Sequence, residues 1–98
     1  MINVSNYIVM ILEKKKWTRV RLCDEINRIE AKLGEKRTLP QNITSYLNGA
    51  WAFRPKILAK WEKALGLKSG TLVSMVVPPL TKEGKEELKE TIDRLKKI

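Results

Sequence analysis

Apolar residues recur at steps of three and four along most of the chain, and no stretch alternates strictly between apolar and polar positions. That period belongs to helices that bury one face, not to half-buried strands. The spacing predicts a first helix over residues 4–16, with Val4, Ile8, Ile11 and Leu12 on one side and Asn3 or Ser5 as its cap. Lys14, Lys15 and Lys16 then sit at the negative end of its dipole. A second helix follows Thr18, whose hydroxyl suits an N-cap, and Trp17 and Leu22 have the spacing of a hydrophobic staple. Leu22, Ile26, Ile29 and Leu33 make its apolar stripe, and Gly34 is its left-handed stop.

The third predicted helix covers residues 39–48. Thr38-Leu39-Pro40-Gln41 has the Thr-x-x-Gln form of a capping box, with proline in the first turn. Ile43, Tyr46 and Leu47 form its inward side, while Gln41, Asn42, Ser45 and Asn48 face outward. After a loop carrying Trp51, Phe53 and Arg54, Pro55 opens a fourth helix whose core side is Ile57, Leu58, Trp61, Ala64 and Leu65, ending at Gly66. Ser69 is placed to cap a short fifth helix bearing Leu72, Val73, Met75 and Val76, which Val77-Pro78-Pro79 terminates. A last helix over residues 81–97 offers only a narrow seam of Leu88, Ile92 and Leu95 among alternating Lys and Glu. That seam must dock on the body of the chain or on a second copy. The expected class is therefore all-α, divided into a body over residues 1–76 and a hinge with a C-terminal helix over residues 77–98.

Ninety-eight residues with 43% hydrophobic content suit one modest core. The single cysteine, Cys23, falls on an inward position and excludes an internal disulfide; histidine is absent, and no spacing fits a metal site. Paired catalytic carboxylates, a phosphate-cradling glycine loop and an activated nucleophile are also missing, so neither an enzyme nor a cofactor is expected. No apolar run reaches the length of a membrane span, and the run from Ile8 to Leu12 has its lysines on the wrong side for a secretory signal; a cytoplasmic location follows as an expectation.

Charge changes the picture most. The net charge is +9, and residues 1–76 carry 14 Lys/Arg against 6 Asp/Glu, leaving only 6 against 5 for residues 77–98. A basic body points to a polyanion, and a helix whose wet side is Gln, Asn and Ser suits the edges of bases.

The order Thr18-x-x-x-Leu22-Cys23-x-x-Ile26, then Ile43-Thr44-x-Tyr46-Leu47-Asn48-Gly49, then Pro55, then Ala64-Leu65-Gly66-Leu67 resembles the lambda-repressor-like (Cro-type) helix-turn-helix family over about residues 4–76. The chain departs from the family in a longer second helix and turn, by roughly ten residues, where a tight turn is usual. The resemblance implies a five-helix DNA-binding domain with an extended second helix or turn and an additional C-terminal helix. It also implies a transcriptional regulator, a repressor of phage or mobile-element type, and a homodimer on near-palindromic duplex sites.

The resemblance places base reading at Pro40, Gln41, Asn42 and Ser45, and a polar backbone grip at Arg19. Chemistry agrees for the amides, since Gln and Asn can pair with adenine in bidentate fashion. Gln41 has an alternative role as the partner of Thr38 in the capping box. Phosphate contacts are expected from Arg19 and Arg21 at the start of the second helix, from Lys36 and Arg37 before the third, and from Asn48, Trp51, Arg54 and Lys56 after it. Trp51 and Phe53 either fill the core or lie along the sugar-phosphate backbone. Leu88, Ile92 and Leu95 are the candidate dimer seam. The longer connection and the separate tail helix also fit a second function, a protein-interaction module such as an antitoxin, antirepressor or inhibitor.

Overall fold

Three helices start at a short side-chain cap and two stop at a left-handed glycine. The computed structural model describes residues 3–75 and 81–98. Five α-helices follow one another: α1 (Val4–Lys15), α2 (Arg19–Leu33), α3 (Pro40–Leu47), α4 (Pro55–Leu65) and α5 (Lys82–Lys96), and there is no strand among the described residues. Asn3 caps α1 by accepting from the Asn6 amide at 2.8 Å, and Thr18 caps α2 by accepting from the Arg21 amide at 3.1 Å. Ser5 instead donates to the carbonyl of Tyr46 at 3.2 Å, tying α1 to α3. Gly34 and Gly66 close α2 and α4 in the left-handed conformation, at φ 73° and 71°.

The predicted stripes converge on one core. Ile8, Ile11 and Leu12 of α1, Leu22, Cys23, Ile26 and Ile29 of α2, Ile43 of α3, and Leu58, Trp61 and Leu65 of α4 are all buried there. Each large apolar side chain so buried contributes about 1.5–3 kcal/mol. No helix among the described residues is long and apolar enough to cross a membrane.

Two expectations are corrected. The short fifth helix is only a 3-10 turn, Val73–Met75. The buried carboxylate of Glu62 on α4 holds the segment, accepting from the backbone N–H groups of Gly70, Leu72 and Val73 at 3.0, 2.6 and 3.0 Å. Val76, Val77, Pro78 and Pro79, with the hinge assigned to them, lie outside the described residues. Of the two docking sites expected for the tail seam, a second copy or the body of the chain, the structure shows contact with the body. Leu88, Ile92 and Leu95 pack within the same chain, with Leu95 only 6% exposed and Leu88 and Ile92 partly buried against the core. Helix α5 lies on α4, where Lys56 pairs with Glu87 at 3.0 Å, and the Arg94 guanidinium donates to the carbonyl of Leu33 on α2. A helix this poor in apolar residues gains most by covering an existing apolar surface, and α4 supplies one in cis. The second correction is the Thr38–Gln41 capping box, which does not form: the N-cap of α3 is Leu39, with no side-chain cap.

Candidate nucleic-acid interface

Helix α3 is eight residues long, too short to hold its own shape, so its neighbours must fix it. Ile43 is fully buried against the core, and the Tyr46 ring joins an aromatic cluster, stacked on Phe53 at 4.9 Å and edge-on to Trp61 at 5.7 Å. The Nη1 of Arg19 at the start of α2 donates to Thr44 Oγ1 at 3.4 Å.

The longer α2–α3 connection is anchored by a polar network that the sequence pattern does not advertise. Thr38, two residues before α3, donates its N–H to Asn27 Oδ1 at 2.7 Å and to Glu30 Oε1 at 3.1 Å, and its hydroxyl donates to the same Glu30 oxygen. The Cys23 thiol donates to the Thr38 carbonyl at 3.3 Å. Lys60 of α4 completes the set, donating to Glu30 Oε2 and Glu35 Oε1 at 3.0 Å each. The Thr38 N–H, which the Gln41 side chain would accept in a capping box, is thus already taken by Asn27 and Glu30, and α3 opens one residue later, at Leu39. Burial disfavours the charge on Lys60, but its bonds to Glu30 and Glu35 outweigh that and raise its pKa above the ordinary lysine value. Burial, followed by the negative charge of Asp24, pushes the Cys23 thiol up, which leaves it a poor nucleophile.

Held this way, α3 presents Pro40 and Gln41 exposed, with Asn48 exposed at its C-cap. Asn42 and Ser45 are both partly buried. Asn42 lines a crevice shared with Glu30, Thr38, Tyr46, Trp51 and Lys60. Of the predicted base readers, Pro40 and Gln41 are exposed, and Asn42 and Ser45 are partly covered.

The candidate phosphate contacts separate into two groups. Arg21 already shares its charge with Glu25 at 3.2 Å and lies 4.8 Å from the Trp17 ring centroid, and Lys56 is paired with Glu87. Arg19, Lys36, Arg37 and Arg54 are exposed and enter none of the ion pairs found among the described residues. These four bracket α3: Lys36 and Arg37 precede it, Arg54 follows it, and Arg19 reaches its middle. From Lys36 to Trp61 the chain contains no acidic residue at all. Phe53 is packed against the core, whereas Trp51 is 46% exposed and touches Tyr46 edge-on at 5.3 Å.

The residues that sequence reasoning missed are structural supports: Asn27, Glu30, Lys60 and Glu62. The available signal was a charged residue inside an apolar stripe. Glu30 lies four after Ile26, and Glu62 lies four after Leu58, both on inward faces. Among the described residues no group of Cys, Asp or Glu is gathered as a metal site. No family model, curated protein or solved structure matches this chain.

Proposed function

We propose that this protein binds double-stranded DNA, setting the outer side of α3 into the major groove as a transcriptional regulator of repressor type. The observation that carries the proposal is an exposed helix face with no acidic side chain, bracketed by the unpaired cations Arg19, Lys36, Arg37 and Arg54. Cations on both sides of a groove-sized helix can grip the phosphates flanking it, while Gln41 and Ser45 between them reach base edges. Arg19 has a double role, bracing Thr44 while its exposed guanidinium stays available to a phosphate.

Fluorescence anisotropy with a labelled random-sequence duplex tests this. Four phosphate contacts give a log–log salt slope of roughly −3 to −4. Arg54→Ala should weaken all sequences alike and lower the slope by about one. A flat salt response, or no binding at low salt, rejects the proposal. A protein-binding role on the same surface is favoured by one observation, the exposed apolar residues Val20, Leu39 and Trp51, and it is the alternative if duplexes fail to bind.

A further inference from the structure

Direct readout in the major groove depends on which side chains a helix carries. Guanine is read by Arg or Lys at O6 and N7, cytosine by Asp or Glu at N4, adenine by Gln or Asn at N6 and N7, and thymine by apolar contact with its methyl group. Helix α3, Pro-Gln-Asn-Ile-Thr-Ser-Tyr-Leu, contains no Arg, Lys, Asp or Glu. It therefore lacks the charged readers of a G·C pair and carries the readers of adenine, while Thr44 and Ser45 can serve either pair.

A second observation supplies the apolar contact that a thymine methyl needs. Among the large hydrophobic side chains exposed in the described residues, Leu39 at 44% and Trp51 at 46% flank α3. Leu39 is its N-cap and Trp51 follows its end.

We infer that the α3 surface recognises A·T-rich duplex, with Gln41 pairing to adenine and Leu39 resting on a thymine methyl group. This rests on the DNA-binding proposal and names the substrate class of the same site. The neighbouring cations supply affinity for any sequence, and the uncharged centre supplies the preference. Gln41 is the specificity residue for adenine. Removing it leaves phosphate gripping intact.

Selection of bound sites from random duplex DNA, followed by anisotropy on the selected site, tests the inference. The selected core should be A·T pairs. Replacing each core thymine by deoxyuridine, which removes only the methyl group, should weaken binding about three- to fivefold per contacted methyl. Leu39→Ala removes an exposed side chain, so the variant should keep the wild-type melting temperature while losing the thymine–uracil difference at the position it contacts. Gln41→Ala should lose about 5- to 150-fold in preference for adenine at one position while binding random duplex as before. Salt-sensitive binding with a G·C core, or with equal affinity for thymine and uracil sites, overturns the inference and leaves duplex binding standing. Absence of binding to every duplex overturns both.

Discussion

Truncating Lys60 probes the support beneath α3. Its side chain is 10% exposed and that of Glu30 7%, and the two meet at 3.0 Å, with a second bond from Lys60 to Glu35 of equal length. Lys60→Ala removes both charge-assisted bonds. Glu30 Oε1 keeps Thr38, but Oε2 loses its partner in a site that water scarcely reaches. Stranding a buried carboxylate in this way costs about 3–5 kcal/mol. A domain of this size has about 5–15 kcal/mol in total, so the melting temperature should fall by roughly 12–40 °C. Urea unfolding followed by tryptophan fluorescence measures the loss, and amide hydrogen exchange locates it. The largest gain in exchange should lie in the connection from Glu35 to Leu39 and in α3, because Thr38 links that segment to α2. The double change Glu30→Met with Lys60→Met should cost much less than the sum of the single changes, since no charge is left stranded. A Lys60→Ala protein within about 1 kcal/mol of the parent, or additive single changes, would refute this account of how α3 is seated.

Other consequences follow from the same structure. The raised pKa of Lys60 means that its charged form is favoured by folding. The stability it contributes is complete below the unfolded lysine value of 10.5 and lost as pH climbs through the higher folded value, so alkaline titration of the unfolding free energy should show a decline that Lys60→Met lacks. Ile92→Asp places a charge between α5 and α4 and should lower stability by about 2–4 kcal/mol; loss of a dimer at unchanged stability would instead return the seam to contact between copies. Gly66→Ala meets no neighbouring atom but sits at φ 71°, so it should cost about 1–2 kcal/mol by urea unfolding, a purely conformational penalty.

Short-range signals were legible in the sequence because they act locally. Thr18 and Gly34 bound α2, Gly66 closes α4, and Ile8, Leu22, Ile26, Leu58 and Trp61 lie in the core as their spacing requires. What escaped depends on partners far along the chain. The pairing of Glu30 with Lys60 joins residues 30 positions apart, and nothing local distinguishes either from a solvated charge. The same long-range competition undid two local predictions. Thr38 has the form of a capping residue, yet its N–H, which Gln41 would have accepted, goes to Asn27 and Glu30; Ser69 precedes an apolar run, yet the segment is held as a 3-10 turn on the Glu62 carboxylate. Helix α5 was ambiguous for a different reason. A narrow seam specifies that it must be covered, not by what, and the apolar surface of α4 decides it. In the candidate interface, the exposure of Gln41 followed from helical period alone, whereas the inward lean of Asn42 depends on where α4 lies.

The most direct test is a titration of the isotope-labelled protein with a 20-base-pair duplex of random sequence, followed residue by residue through amide and side-chain NH₂ resonances. The surface described here predicts shifts concentrated at Arg19, Lys36, Arg37, Gln41, Ser45, Asn48 and Arg54, with the solvent face of α5 unmoved. Silence at those positions at low salt, or shifts confined to α4 and α5, would contradict a DNA-facing α3.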